Sequence, residues 1–202
     1  MADSAQIHES AYVDPTARLG DGCVVSPFAY IGANVVIGEG AFIGPGAVVL
    51  DGCQVGRDSE IAGEAVIGSR GFGYVHDGRQ HVRIPQVGSV TIGERTKIGP
   101  ATCIDRAALE QTVIGSDCSI GALTQIAHNC QIGDDCQIGG GCGLAGSSKI
   151  GPGARFGDRV GTAGHSTYGE GVRADDLAGI TKTKIPAGSH WAGYPARQIS
   201  NT

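Results

Sequence analysis

The stretch that decides the fold is "QIAHNCQIGDDCQIGGGCGLAGSSKIG", residues 125–151. An aliphatic residue recurs here every six positions, and a small residue stands four places after each one. A period of six fits neither an amphipathic helix nor a strand with alternating faces. It is typical of a hexapeptide solenoid, in which three short strands form one triangular coil of eighteen residues. The stretch therefore predicts an all-β protein built from stacked coils.

The same repeat continues along most of the chain. It runs through residues 7–67 without a slip, resumes over residues 92–104, and continues over residues 114–156 after four extra residues. The aliphatic side chain is expected to fill the interior of each coil, and the small residue to fit where the wall turns. Because the repeat fades towards the end, we expect a solenoid domain over residues 1–185 and a polar tail over residues 186–202.

Six of the seven cysteines stand at the small position of this repeat. A free cysteine behaves as a small buried hydrophobe. Zinc-binding cysteines usually lie two to four residues apart, whereas these lie six or more apart and on different faces. An odd number of cysteines also fits reduced thiols better than a closed set of disulfides. The pattern predicts packing, rather than metal or redox chemistry, for Cys23, Cys53, Cys118, Cys130, Cys136 and Cys142; Cys103 is out of place.

Composition and charge exclude several classes of protein. The 202 residues suffice for one domain with a buried core. The 15 basic and 20 acidic residues form no run of either sign, which argues against a nucleic-acid-binding surface. No apolar run reaches the ~18 residues of a membrane span. The first residues, "MADSAQIHES", lack the basic and apolar regions of an export signal. We expect a cytoplasmic protein.

His128 is the first candidate for chemistry, because it lies two residues after Ile126 and outside the inward position. Residues eighteen apart should stack ~4.8 Å apart, as in any parallel ladder. Gly146 and then Gly164 would stack on His128, with His165 beside them. This strip of small residues between two histidines would admit a slender substrate arm and expose the Gly146 N–H. The alternatives are a merely solvated histidine and glycines that only suit the coil.

The four-residue insertion "LEQT" changes the stacking below His128. It places Ile104 under Ile126 and Arg106 under His128. Arg106 is therefore a candidate for contact with a substrate phosphate, although a surface ion pair fits it equally well.

The longest irregular stretch, "GFGYVHDGRQHVRIPQVGS", forms a predicted protruding loop at residues 71–89. Insertions of this kind leave a solenoid at one edge and often serve binding. Phe72, Tyr74 and His76 are predicted to bind substrate: Tyr74 could stack on a ring, and His76 or His81 could meet a phosphate. The spacing of the two histidines resembles the zinc site of gamma-class carbonic anhydrases. In that family the ligands lie on the coil wall, so no metal is expected here.

Several motifs together resemble one enzyme family. "GFGY", "IPQVGSVTIG", "IGPATCIDRAALEQTVIG", "QIAHNCQIG", "LAGSSKIG" and "AGH" occur in the order and spacing of UDP-3-O-acylglucosamine N-acyltransferase, roughly over residues 10–180. The resemblance implies a left-handed parallel β-helix, here of about nine coils. It also implies a homotrimer with active sites in the grooves between subunits.

The resemblance also implies roles for individual residues. The family's catalytic histidine corresponds to His128, its second active-site histidine to His165, and the glycine whose amide faces the thioester carbonyl to Gly146. The donor would be an acyl carrier protein or acyl-CoA thioester, with no bound cofactor, and the acceptor a nucleotide-linked amino sugar of lipid A biosynthesis. The predicted substrate-binding set adds Asp105, Arg106 and Asn129 to the loop residues.

The chain departs from the family at places that concern the substrate. Gly121 and Ala122 stand where the family has an aspartate and an asparagine. Counterparts of the family's uridine-binding domain and C-terminal helices are not expected from this sequence. The tail "WAGYPARQI" instead resembles CoA-dependent hexapeptide acetyltransferases. The alternatives are therefore CoA-dependent acetylation of another amino sugar, a carbonic-anhydrase-like metalloenzyme, and a non-catalytic β-helix scaffold.

Overall fold

The computed structural model describes residues 4–199, which form a left-handed parallel β-helix with no helical segment among them. Most strands have only two residues, because the wall turns after each hexapeptide. The strands build three long sheets, one on each face of a triangular prism. The first face has ten parallel strands and the other two have nine each, so the solenoid has about ten coils rather than nine.

The strands of the first face are Gln6–Ile7, Val24–Val25, Phe42–Ile43, Glu60–Ile61, Lys97–Ile98, Ser119–Ile120, Gln137–Ile138, Arg155–Phe156, Arg173–Ala174 and His190–Ala192, followed by the antiparallel Arg197–Ile199. Those of the second face are Tyr12–Val13, Tyr30–Ile31, Val48–Val49, Val66–Arg70, Cys103–Arg106, Gln125–Ile126, Gly143–Leu144, Gly161–Thr162 and Gly179–Ile180. The third face consists of Arg18–Leu19, Val36–Ile37, Gln54–Val55, Ser89–Ile92, Gln111–Ile114, Gln131–Ile132, Lys149–Ile150, Thr167–Tyr168 and Lys184–Ile185.

The core is the stack of inward aliphatic side chains that the repeat predicts. Ile31, Ile43 and Ile61 are completely buried. Burying one such side chain contributes roughly 1.5–3 kcal/mol relative to leaving it exposed. Each inward residue pairs in register with its equivalent on the next coil, as Ile126 does with Leu144. The hydrophobic column therefore sets the register of all three sheets.

Most corners turn through one residue with a left-handed backbone, three places after the inward residue. All fourteen non-glycine residues with positive φ stand at this position, among them Asn129 (φ 61°) and His165 (φ 54°). Glycine is the residue best suited to this conformation, and asparagine tolerates it better than most. The hexapeptide period predicts a turn in every repeat, and the φ values identify which residue of the repeat makes it.

The cysteines at the small position are buried and free, so the packing interpretation is confirmed. Their thiols also bridge coils: Cys130 Sγ donates to Ala145 O at 3.3 Å and Cys142 Sγ to Gly157 O at 3.2 Å. Ser59 makes the same kind of bond, to Gly93 O at 2.8 Å. Burial raises the pKa of the Cys130 thiol to about 11, which keeps it protonated at neutral pH.

The two insertions differ in their effect on the solenoid. The segment after Gly71 is partly regular, because Tyr74–His76 and His81–Arg83 pair as an antiparallel hairpin. Its turn is stabilised by Asp77 Oδ1, which accepts bonds from the backbone N–H groups of Arg79 and Gln80. The "LEQT" insertion widens a corner and lengthens strand Gln111–Ile114, whose first two residues pair with Ser89 and Val90. The expected pairing of Ile104 with Ile126 is confirmed.

The solenoid continues beyond residue 185, where a tail was expected. Trp191 is buried and pairs with Ala174 on the first face, and its Nε1 donates to Ser189 Oγ at 2.9 Å. Strand Arg197–Ile199 then folds back antiparallel on His190–Ala192. Residues 186–199 therefore close the last coil, because a buried tryptophan replaces the missing aliphatic repeat.

Replacing Cys130, Cys136 and Cys142 together by alanine should retain the fold and lower the unfolding temperature. Each site loses a buried sulfur and one hydrogen bond, a cost of about 1 kcal/mol. The matched triple serine variant keeps a small donor at each site and should lose less. Calorimetry with circular dichroism measures both; an alanine triple as stable as the native protein would contradict the packing role.

Candidate functional site

His128 lies at the corner between the second and third faces, with its ring between two glycines. A Cβ atom added to Gly146 would stand 2.8 Å from His128 Nε2. A Cβ added to Gly71, at the base of the hairpin, would stand 2.9 Å from His128 Cβ and 3.0 Å from Cδ2. Both positions therefore exclude any side chain, and the imidazole is half-buried against bare backbone.

Asn129 determines which nitrogen of His128 carries the proton. Asn129 Oδ1 accepts a hydrogen bond from the backbone N–H of Ala108 at 3.0 Å, which identifies this atom as the oxygen. The same oxygen lies 3.1 Å from His128 Nδ1. Because an oxygen cannot donate, Nδ1 must carry the proton of the neutral ring. The lone pair is then on Nε2, the atom beside Gly146.

The backbone around Gly146 directs an N–H outwards next to that lone pair. The oxygen of Ala145 accepts inward bonds from Ser148 Oγ at 2.7 Å and Cys130 Sγ at 3.3 Å. In a trans peptide the N–H points opposite to the C=O. The N–H of Gly146, which belongs to the same peptide unit as the Ala145 carbonyl, therefore faces the outside of the corner.

This N–H lacks the partner that other corners supply. At equivalent positions an aspartate of the next coil accepts the bond, as Asp51 does from Ala33 N at 2.9 Å and Asp158 from Gly140 N at 2.8 Å. The equivalent residue above Gly146 is Gly164, which has no side chain. Within residues 4–199 no acceptor bonds the Gly146 N–H. It is available to an oxygen that enters from solvent.

His165 lies one coil above Gly146 and is exposed. Its backbone N–H donates to Gly146 O at 3.0 Å. Its side chain projects from a corner with φ 54°, two coils or about 10 Å along the axis from His128. The structure thus stacks His128, Gly146 and the His165 backbone along one corner, and the two imidazoles lie two coils apart with the strip between them.

Asp105 and Arg106 make internal contacts. Asp105 is buried and accepts bonds from Ser69 Oγ at 2.6 Å and Gln125 Nε2 at 3.0 Å, so each of its oxygens has a partner. Arg106 turns away from His128 and donates to Gly68 O at 2.7 Å and Asp51 O at 3.1 Å. Together with the Asn129 contacts, these bonds support the corner from inside. Their predicted contacts with substrate stay predictions.

The hairpin places its predicted binding residues outside the corner. The rings of Phe72 and Tyr74 lie 5.2 Å apart, and Phe72 is 85% exposed. His76 and His81 face each other across the strands with their ring centroids 5.0 Å apart. The hairpin meets the site through Gly71, so these aromatic side chains stand beside the entrance rather than against the imidazole.

Sequence reasoning missed several residues that complete this site. Gly71 contacts His128 from the hairpin side, and Gln86 contacts Gly71 from behind, with its Oε1 3.2 Å from where a Cβ of Gly71 would lie. Ser69 and Gln125 engage the Asp105 carboxylate. The eighteen-residue stacking rule does not find these contacts, because a bulge between Ile67 and Ser69 and the hairpin both break the period.

Nowhere in the described part of the chain do three or more His, Cys, Asp or Glu side chains form a group that could hold a metal ion. Within residues 4–199 there is also no long apolar helix of the kind that crosses a bilayer.

Comparison with known proteins identifies the repeat. A family model described as bacterial transferase hexapeptide (six repeats) matches residues 34–69 and 111–146. These two segments carry hexapeptide repeats of the kind that the family model describes. The matched segments include the second-face strands on both sides of the hairpin, and the second of them contains His128, Asn129 and Gly146.

Curated relatives confirm the resemblance for part of the chain. UDP-3-O-acylglucosamine N-acyltransferase of Dechloromonas aromatica (strain RCB) is 53% identical over 68 residues, 34% of this chain and 20% of the relative. The enzyme of the same name from Pseudoalteromonas translucida (strain TAC 125) is 47% identical over 75 residues, 37% of this chain and 22% of the relative. The match thus spans about a fifth of each relative's length and is shorter than the stretch over which the motifs are spread.

Solved structures agree over almost the whole chain. The UDP-N-acetylglucosamine acyltransferase LpxA from Bacteroides fragilis 9343 superimposes with a TM-score of 0.86 and 26% identity, covering 95% of this chain and 73% of that one. LpxA from Moraxella catarrhalis RH4 gives the same TM-score at 24% identity, covering 96% and 73%, and therefore supports the fold alone.

Replacing Asn129 by glycine should disturb the protonation pattern of His128 without moving the backbone. Glycine adopts the positive φ of this corner but lacks the oxygen that holds the Nδ1 proton. Loss of a hydrogen bond of about 1 kcal/mol should lower the ratio of the Nδ1-protonated to the Nε2-protonated tautomer about five-fold. Nitrogen-15 NMR of labelled histidine measures this ratio.

The control for this variant is Asn34→Gly, which changes an equivalent corner residue with φ 56° far from the site. It should leave the His128 signals unchanged. An unchanged tautomer ratio in Asn129→Gly would show that Asn129 does not orient the imidazole.

Proposed function

We propose that the protein is an N-acyltransferase that moves an acyl group from a pantetheine thioester to the amine of a nucleotide-linked amino sugar. The observation that carries this proposal is the pairing of the unprotonated His128 Nε2 with the unpartnered N–H of Gly146. A base and an oxyanion donor side by side are what attack on a thioester carbonyl requires. The partial match to UDP-3-O-acylglucosamine N-acyltransferases supports the substrate class.

The chemistry follows from the two groups. The amine nitrogen attacks the thioester carbon, and His128 Nε2 accepts the proton that the amine loses. The carbonyl oxygen gains negative charge, which the Gly146 N–H stabilises. The C–S bond then breaks, and the protonated imidazole returns its proton to the departing thiolate. The products are an amide and a free thiol, and a general base of this kind typically contributes 10²–10⁴ in rate.

The strip above His128 suits the donor. Gly146 and Gly164 leave a path without side chains along the wall, to which we assign the slender pantetheine arm. His165, exposed at the far end of this path, is proposed to position the donor or the intermediate. The thiols take no part in this chemistry, because they bond to backbone carbonyls in the interior.

The hairpin suits the acceptor. Phe72 and Tyr74 offer exposed rings for a nucleobase or sugar, and His76 lies in the same strand as Tyr74. Gly121 and Ala122 bear no group able to hydrogen-bond through its side chain. We therefore expect selectivity for a 3-O-acyl group to be weak, because fewer site groups are left unpaired when that group is missing. A place in lipid A biosynthesis is part of this proposal.

A second candidate keeps the chemistry and changes the substrates: CoA-dependent acetylation of another amino sugar. It is favoured by the closing segment "WAGYPARQI", in which Trp191 is buried beneath Lys182 and the ring of Tyr194 covers Gly179. A donor screen separates the two candidates, since acyl carrier protein should serve the first and short acyl-CoA the second.

Replacing His128 by alanine should lower kcat by about 100-fold or more with the preferred donor and a UDP-amino sugar, because the chemical step loses its base. The assay follows thiol release. The control is His8→Ala, an exposed histidine of the first coil that contacts only Ser10 among the described side chains. Near-normal turnover in His128→Ala, with an unchanged fold, would refute the assigned base.

We further propose a homotrimer that packs through the second face. At the strand position before each inward residue, the first face carries Glu60, Lys97, Arg155 and Arg173, and the third carries Arg18, Lys149 and Lys184. Charged residues are depleted in the centres of protein interfaces. The second face has no charge at this position, where it carries Tyr12, Tyr30, Val48, Val66, Cys103, Gln125, Gly143, Gly161 and Gly179.

The position of the site agrees with this assembly. His128 stands at the edge of the second face, so a neighbouring subunit would form the other wall of a groove over the strip. Closed cyclic symmetry is usual for such oligomers. The hairpin, with its exposed Phe72 and Val75, would lie along the same groove.

Sedimentation should detect three chains, and Gly161→Arg should dissociate them. A Cβ atom at Gly161 would meet nothing within 4 Å in the protomer, so the variant tests the interface rather than the fold. Thr167→Arg, on the third face, should assemble normally. A native monomer, or a Gly161→Arg protein that assembles as before, would contradict the proposed face.

A further inference from the structure

We propose that Arg70 and Arg83 form a phosphate-binding site beside the corner that carries His128, called the catalytic corner below. This site would bind a phosphate ester of one of the two substrates. The identity of those substrates rests on the proposed function. The site is a surface cavity of about 310 Å³ at the base of the hairpin, lined by Arg70, Arg83, Ile84, Pro85, Gln86 and Val87.

The two arginines bring uncompensated positive charge to this cavity. No acidic residue lines it, and within residues 4–199 no carboxylate lies within ion-pair distance of either guanidinium. Three arginines elsewhere on the wall do have a carboxylate partner: Arg57 pairs with Asp58, Arg95 with Asp117 and Arg155 with Asp135. Two neighbouring like charges without a counterion favour the binding of an anion.

One of the guanidiniums is already oriented. Arg83 Nη2 donates to the backbone oxygen of Arg70 at 3.1 Å, which fixes the plane of the group. Its Nε and Nη1 make no bond to any residue that the structure describes, and neither does the side chain of Arg70. The planar fork of arginine matches the oxygens of a phosphate, and a fork held in advance loses less entropy on binding.

Gln86 supplies an independent sign of a ligand in the same cavity. It is 8% exposed, and its Oε1 is buried without a hydrogen-bond partner. Its Nε2 faces Ile84 O at 3.3 Å and Pro85 O at 3.4 Å, which identifies the amide nitrogen and leaves the oxygen towards Gly71. A buried acceptor without a donor is costly, so a hydroxyl or N–H of a ligand would stabilise this arrangement.

Gly71 lies between the cavity and the corner that carries His128. That residue touches Gln86 on one side and His128 on the other, because a Cβ there would stand 3.2 Å from Gln86 Oε1 and 3.0 Å from His128 Cδ2. A phosphate held by Arg70 and Arg83 would therefore anchor a substrate whose reacting end reaches the imidazole. Both the diphosphate of a nucleotide sugar and the phosphates of a pantetheine donor have this chemistry.

Isothermal titration with UDP and, separately, with coenzyme A tests the site on the intact protein. We expect one of the two probes to bind, and Arg70→Gln and Arg83→Gln each to raise its Kd about ten-fold or more, since charge-assisted bonds to phosphate are lost. The binding of that probe should weaken with salt less steeply in the variants than in the native protein. Arg83→Lys should fall between the native protein and Arg83→Gln, because it keeps the charge and loses the fork.

The probe that responds identifies the source of the phosphate: UDP indicates the acceptor and coenzyme A the donor. Arg57→Gln, at a different corner where Arg57 pairs with Asp58, is the matched control and should bind both probes as the native protein does. Arg70→Gln carries the test if Arg83→Gln fails to fold, because Arg70 makes no side-chain bond to another described residue. Native affinity for both probes in the arginine variants, or no binding of either probe at millimolar concentration by the native protein, would overturn the site.

These measurements require no turnover and therefore stand apart from the test of the proposed function. If acyl transfer proceeds while the arginine variants bind both probes normally, the function holds and this site is wrong. If no donor and acceptor pair reacts but UDP or coenzyme A binds through Arg70 and Arg83, the site holds and the function is wrong.

Discussion

The hydrogen-bonded ladder between successive coils is the constraint on which the rest of the structure depends. Each coil must return to the same position after three corners, so every corner must turn through a fixed angle and every inward residue must stand above its predecessor. At most corners a left-handed backbone at the third position after the inward residue provides the turn. The cost of this conformation is spread over many corners and is offset by the continuous column of buried aliphatic side chains.

That constraint also prepares the candidate site. Asn129 occupies a corner with φ 61°, a conformation that asparagine tolerates, and from there its oxygen reaches both Ala108 N and His128 Nδ1. One residue thus turns the chain and sets the tautomer of the imidazole. The site therefore uses the same corner geometry as the rest of the wall, and it differs in the side chain of one corner residue, Asn129.

The peptide unit between Ala145 and Gly146 links the interior of the prism to the site. Cys130 and Ser148 bond to the oxygen of Ala145 from inside the prism, and the N–H of the same peptide unit, on Gly146, therefore points out. At neighbouring corners an aspartate would accept such an N–H, as Asp158 does from Gly140. Gly164 has no side chain that could accept this bond. The Gly146 N–H is therefore available to a substrate oxygen.

The sequence by itself determined the repeat, the inward column, the structural role of the cysteines at the small position and the stacking of Gly146 on His128. Each of these follows from periodicity, because identical coils repeat their contacts every eighteen residues. Only the tertiary structure decided the contacts that involve interruptions of the repeat: Gly71 against His128, Asn129 with Ala108, Arg70 beside Arg83, and Trp191 closing the last coil. An insertion has no period, so its position depends on side-chain packing and hydrogen bonds that form only when the chain is folded.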